Sequence, residues 1–190
     1  MTIKKVTDQI QNSIDVKLSL LNTHNLLYQV LDLAEKCTKA LKAGGKVIFC
    51  GNGGSFADAQ HLSAEFSSRF LFDRPGLPSL ALGTNSSAMT AISNDYGYEY
   101  VFAREIKAIA THNDIIIAIT TSGNSLNICK ALEAAREVNA KSVVLMGAGR
   151  GLIDDTIETL NVPSKETARI QEGHILIGHI ICEIVEENIF

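Results

Sequence analysis

His61 and Glu65 stand four residues apart in the stretch GNGGSFADAQHLSAEF, Gly51 to Phe66. On a helix that spacing puts an imidazole and a carboxylate on one face, one turn from each other, which is how helices present metal ligands. It equally suits a solvated His/Glu pair, so two donors alone do not make a site. The stretch opens with Gly51-Asn52-Gly53-Gly54-Ser55, and a second loop of like character, Thr120-Thr121-Ser122-Gly123-Asn124-Ser125, follows the apolar run DIIIAI. Each brings small residues, backbone N–H groups and hydroxyls to a predicted helix start, where orphan donors and the positive dipole end favour an anion. The hydroxyls of Thr120, Thr121, Ser122 and Ser125 suit a phosphate, and Gly123 lets the backbone approach it. Neither loop reads GxGxxG and neither is followed by GK[ST], so the dinucleotide and nucleoside triphosphate fingerprints are absent. A small phosphorylated metabolite suits the pair better.

These loops need a scaffold that brings strand ends together. The runs KVIFC (46–50), PSLAL (78–82), DIIIAI (114–119), SVVLM (142–146) and TLNVP (159–163) have the length and β-branching of buried strands, and helical stretches separate most of them. Strand, crossover helix and strand again predict an α/β fold, a doubly wound parallel sheet with helices on both faces. In such sheets ligands collect at strand ends where the strand order reverses. Ahead of the first strand, Ile10, Ile14, Leu18 and Leu21, then Leu26, Leu27, Val30, Leu31, Ala34 and Leu41, recur at helical spacing until Gly44 and Gly45 break it. This predicts two amino-terminal helices over about 5–43, used in packing and oligomerisation. The stretch 168–190 is apolar around much of its circumference, which predicts a central helix or one buried in a subunit contact.

At 190 residues the chain is expected to form a single domain spanning 1–190. A net charge of -4 with no basic stripe gives nucleic-acid binding little support. No apolar run approaches the roughly 20 residues that cross a bilayer, and MTIKKVTDQIQNS lacks a signal core, so a cytoplasmic protein is expected. Cys37, Cys50, Cys129 and Cys182 form no CxxC pair and are read as reduced, mostly buried thiols.

Five tracts in order, GNGGSFADAQHLSAEF, RFLFDRPGLPSLAL, NDYG (94–97), TTSGNS and ARIQEGHILIGHI (168–180), resemble the sugar isomerase (SIS) family. More narrowly they resemble its phosphoheptose isomerase branch, which interconverts sedoheptulose 7-phosphate and D-glycero-D-manno-heptose 7-phosphate. The resemblance implies a five-stranded parallel sheet in flavodoxin-like order and a homotetramer with active sites between subunits. Its partner would be a phosphorylated seven-carbon sugar, with no nucleic acid and no membrane. Position by position it implies substrate contacts from Asn52, Gly53, Gly54, Ser55, Glu65, Asn94, Asp95, Thr120, Thr121, Ser122, Ser125 and Gln171. It further implies one zinc ion per subunit, held by His61, Glu65, Gln171 and His179, with Glu65 and His179 also the acid/base pair. Aldose to ketose conversion needs such a pair, and a cation to stabilise the enediol's developing negative charge.

Gln171 and His179 are eight residues apart, about 12 Å of rise on a straight helix, so one ion does not easily take both from one chain. An irregular helix start, ligands from different subunits, or a residue that touches only substrate would each resolve this. His174 is read as a packed residue on an apolar helix, while Arg69 and Asp58 are weighed equally as surface groups and as helpers. A non-enzymatic relative in the same branch binds the bacterial replication initiator as an adaptor and lacks the acid and the final histidine, so Glu65 and His179 favour the enzyme. A sugar-phosphate-sensing module, a third reading, is disfavoured by the lack of a DNA-binding extension.

Overall fold

The computed structural model describes residues 2–190. In chain order the elements are α1 (Ile3–Asn22), α2 (His24–Lys42), β1 (Val47–Gly51), α3 (Gly54–Ser67), β2 (Ser79–Ala81), α4 (Ser86–Asp95), a 3-10 turn (Tyr98–Tyr100), α5 (Val101–Ile109), β3 (Ile115–Ile119), α6 (Leu126–Glu137), β4 (Lys141–Met146), β5 (Glu158–Asn161) and α7 (Thr167–Ile189). All five predicted strands form, each within one or two residues of its expected ends. Pro163, with no N–H to give a ladder, lies beyond the end of β5. The sheet is parallel throughout in the order β2-β1-β3-β4-β5. Order therefore reverses between β1 and β3, and the two anion-suited loops leave the carboxyl ends of those two strands.

β1 and β3 are buried at every position, which is why their sequences read as unbroken apolar runs. Alternate residues feed two cores. Phe49, Ile117, Val143 and Leu145 pack with α2, α3 and α7, while Ile48, Ile116, Val144 and Met146 pack with α5 and α6. Cys37, Cys50 and Cys182 are buried free thiols. Burial pushes the first two up to about 12, so they stay protonated and inert.

Asp114 ties the amino ends of β1 and β3 together. Its carboxylate, fully buried, accepts from the Lys46 N–H at 2.8 Å, Lys46 Nζ at 2.7 Å and the Thr111 N–H at 2.7 Å. Burial pushes this carboxyl up, but the Lys46 ammonium and the two amides outweigh it and hold it below its usual range. A depressed carboxyl stabilises the fold above its unfolded value near about pH 4, and that contribution is lost as pH falls through the lower folded value. Asp114→Asn is thus expected to cost about 1–3 kcal/mol at pH 7 and to flatten the acid-side decline of the thermal midpoint. An unchanged decline below pH 4 in that variant would assign the acid sensitivity to other carboxylates.

The amino-terminal helices divide their labour unequally. α2 buries Leu26, Val30, Leu33, Ala34 and Cys37, whereas α1 buries only Leu20. Ile3, Val6, Ile10, Ile14, Leu18 and Leu21 all remain exposed along α1. α7 is central, with Ile170, Ile177, Ile181 and Val185 in the core, yet Leu176 and Ile180 still face outward. Together with α1 and α2 they line an open apolar groove of about 490 Å³. Among the described residues, no helix is long and apolar enough to cross a membrane.

Candidate active site

The glycine loop is built for close approach. Gly53 has φ +56°, a conformation that side chains disfavour, and a Cβ on Gly54 would sit 2.4 Å from Gln171 Nε2. α3 begins at Gly54 itself, so its first free N–H groups open on the loop, with Ser55 buried beneath. The Asn52 side chain exchanges two hydrogen bonds with Asn127, at 2.9 and 2.8 Å, and accepts from the Tyr98 hydroxyl at 3.0 Å. This bond pair ties the first loop to α6 behind the second, and leaves the Asn52 backbone for a ligand. Neither Asn127 nor Tyr98 figures among the candidates read from sequence. The available signal was Asn127 itself, a polar residue at the buried position four before Ala131 on an otherwise apolar face.

In the second loop, Thr120 Oγ1 accepts from the Gly123 N–H and Ser122 Oγ from the Asn124 N–H, both at 3.2 Å. Each hydroxyl keeps its proton to donate outward. Ser125 occupies the N-cap of α6 without a side-chain capping bond, so its hydroxyl is also uncommitted. Beside Thr121 and Ser122 lies a cavity of about 180 Å³, closed by Gly149, Ser164 and Lys165. Lys165 is a cation that sequence reasoning passed over, since a lone loop lysine carries no spacing signal. Asn94 and Asp95 end α4 exposed, bonded to each other at 2.8 Å, and make no hydrogen bond to either loop.

The third feature lies farther along α3. His61 Nε2 is 3.0 Å from His179 Nε2 and 3.3 Å from Glu65 Oε1, and one donor atom from each of the three falls within 4.8 Å of the others. α3 and α7 run side by side in the same direction: Gly54 meets Gln171 at one end, and Gly178 meets Leu62 farther on. A Cβ on Gly178 would lie 2.5 Å from Leu62 Cδ2, so glycine there permits the approach that brings His179 to His61. Asp58, a turn before His61, keeps a buried Oδ2 with no hydrogen-bond partner. Burial pushes its carboxyl up, with His61 and His179 pulling it back. Two imidazole nitrogens and a carboxylate oxygen form a donor set suited to a divalent cation of N/O preference.

The structure places the other candidates apart from this cluster. α7 is regular from Thr167, so an irregular start does not reconcile Gln171 with His179, and Gln171 lies at the glycine loop of its own chain. His174 is wholly buried with neither ring nitrogen hydrogen-bonded. Burial pulls it down to about 4, with the Met146 backbone opposing, so it is a neutral packed residue near pH 7. Arg69 is exposed just past α3.

Fold and site define a class: a doubly wound α/β domain of sugar isomerase type, with two anion-suited loops at the switch point and a His/Glu/His cluster beside them. The family model described as SIS domain matches residues 14–147. The phosphoheptose isomerase of Aneurinibacillus thermoaerophilus is 52% identical over 97% of this chain and 94% of its own length. Phosphoheptose isomerase 2 of Campylobacter jejuni is 51% identical over 94% and 90% of the two chains. Among solved structures, a phosphoheptose isomerase from Francisella tularensis superposes with a TM-score of 0.93 at 35% identity, covering 98% of this chain and all of that one. The chain belongs to the phosphoheptose isomerase branch of the SIS domain family.

Proposed function

We propose that this chain is a metal-dependent aldose–ketose isomerase converting sedoheptulose 7-phosphate to D-glycero-D-manno-heptose 7-phosphate. The observation that carries this reading is the convergence of Glu65 and His179, from two different helices, on His61. The reaction moves a proton from C1 to C2 and a proton from O1 to O2, and Glu65 and His179 are the groups placed to relay them. His61, Glu65 and His179 would hold one zinc ion per subunit, which when bound polarises the substrate oxygens and stabilises enediolate charge. The contact of Gln171 with Gly54 in its own chain supports a substrate-facing role for it. A role for it as fourth ligand calls on a neighbouring subunit.

At the far end of the sugar, Thr120, Thr121, Ser122 and Ser125 bind the phosphate, with Lys165 as counter-charge, while the Gly53 and Gly54 backbone and Ser55 line the path between. Asn94 and Asp95 reach the substrate from the end of α4. Holding the phosphate fixes C1 and C2 against the acid/base pair. Ser122→Ala is expected to lower kcat/KM by about tenfold to a hundredfold, the worth of one hydrogen bond to a charged group. Steady-state kinetics on the phosphorylated ketose measure this directly, and an unchanged ratio would move the phosphate elsewhere.

The exposed α1 stripe and the apolar groove support a homotetramer with active sites between subunits, as does His61, whose side chain is half exposed within one chain. A cytoplasmic biosynthetic role follows from the substrate. The deciding experiment is product analysis after incubation with sedoheptulose 7-phosphate, paired with mass determination in solution. Aldose formation by a tetramer supports the reading, and no turnover by a folded tetramer sinks it.

A further inference from the structure

The tract RFLFDRPGLPSLAL, which follows the cluster helix, contains a clamp that the proton-transfer scheme does not use. Arg74 is buried, its side chain 3% exposed, against a Glu186 side chain that is fully buried on α7. Arg74 Nε donates to Glu186 Oε1 at 2.7 Å, and Glu186 also accepts from the Phe70 and Leu71 N–H groups, at 3.0 and 2.7 Å. The rest of the guanidinium turns back on α3. Nη2 donates to the Glu65 carbonyl at 2.9 Å, and Nη1 to the carbonyls of Phe66 at 2.7 Å and Ser68 at 3.1 Å. These are carbonyls at the carboxyl end of α3 that the helix itself leaves without partners. Burial pushes the Glu186 carboxyl up, yet the amides and the guanidinium outweigh burial and keep it ionised.

The clamp reaches Glu65 directly and His179 by way of Phe70. One end finishes on the backbone of Glu65. The other holds Phe70, whose ring lies against the His179 ring with centroids 5.6 Å apart and planes at 30°. A buried ion pair is by itself weak support for stability, and this one spends its remaining bonds on the end of α3 that carries Glu65 and on the backbone of Phe70 and Leu71.

We propose that Arg74, Glu186 and Phe70 are positioning residues for the isomerisation: the buried pair fixes the turn of α3 that carries Glu65 and seats Phe70 against His179, keeping the two converged. This rests on the isomerase reading above. Without the clamp the last turn of α3 frays and His179 gains rotamers, so the acid/base pair and the donor set both loosen.

The test uses the full chain with two substitutions, Phe70→Leu and Arg74→Lys. Phe70→Leu removes the ring without disturbing the buried charges, and Arg74→Lys keeps the charge but loses the forked bonds to the carbonyls. Kinetics on sedoheptulose 7-phosphate are combined with zinc affinity from competition against a chromophoric chelator. For Phe70→Leu, kcat is expected to fall on the order of tenfold, with zinc affinity lowered on the order of tenfold and KM within about twofold of the parent. Arg74→Lys is expected to shift the same quantities further. Wild-type kcat and zinc affinity in Phe70→Leu overturn the proposal, even if its thermal midpoint falls. If Arg74→Lys does not fold, Phe70→Leu still decides. If the parent protein turns over no heptose phosphate yet Phe70→Leu weakens zinc binding, the isomerase reading fails while the positioning of the donor set stands.

Discussion

Glu65→Gln is expected to lower kcat for heptose phosphate isomerisation by about two to four orders of magnitude, the range for losing a general acid or base, with the fold intact. Glutamine keeps the shape and the hydrogen-bonding reach of the side chain but cannot carry a proton at neutral pH. The Glu65 side chain is 24% exposed and among the described residues its ion-pair partner is His61 alone, so the change orphans no buried cation. His179→Gln is expected to match it, because a relay broken at either group is broken. The double variant should be little worse than each single one, as for residues that act as a unit. Because both side chains are also proposed metal ligands, zinc content is measured alongside turnover. A variant that retains zinc and loses turnover assigns proton transfer to the missing group. Near-normal turnover in either variant would remove that residue from the relay.

Much of the scaffold behind this prediction is written locally in the chain. Buried parallel strands read as continuous apolar runs because both faces are covered, so β1 and β3 were legible from VIFCG and IIIAI alone. The two loops were legible because glycine and hydroxyl residues directly after such runs can only lie at strand ends. His61 and Glu65 were legible as a pair through helical periodicity, and His179 joined them through the family resemblance of its tract.

What stayed hidden depends on contacts between distant residues. Asn52 reads as a ligand contact in a glycine loop, and the bonds its side chain makes to Asn127 and Tyr98, 75 and 46 positions away, could not be read there. Arg74 and Glu186 are 112 positions apart, and neither has a neighbour in sequence that marks it as buried. The parallel register of α3 against α7 is set by Gly54 and Gly178, whose role shows only when Gln171 and Leu62 are seen where a Cβ would stand. That register also puts Gln171 at the loop end of the helix pair, two turns from His179 in the same chain.

Removing the metal is expected to cost about a hundredfold to a thousandfold or more in kcat, comparable to deleting an oxyanion stabiliser. On the proposed reading the enediolate carries its charge on O1 and O2, beside His61, Glu65 and His179, and two of the protein's cations near the two sites are committed elsewhere. Lys165 borders the second loop, and the Arg74 guanidinium is consumed by Glu186 and the carbonyls of α3. Helix dipoles offer little, because the amino terminus of α3 is two turns from His61 and the effect fades within the first turn. Chelation should also disable the relay: with no ion between them, the Nε2 atoms of His61 and His179, 3.0 Å apart, are free to hydrogen-bond each other, which withdraws His179 from the substrate. Elemental analysis should find one ion per chain before chelation. Added zinc should restore turnover, and it should raise the thermal midpoint with concentration as a ligand of the folded state does. Full turnover in protein shown to be metal-free would leave the enediolate to be stabilised by protein groups alone, and the search would then turn to Arg69, exposed just past α3.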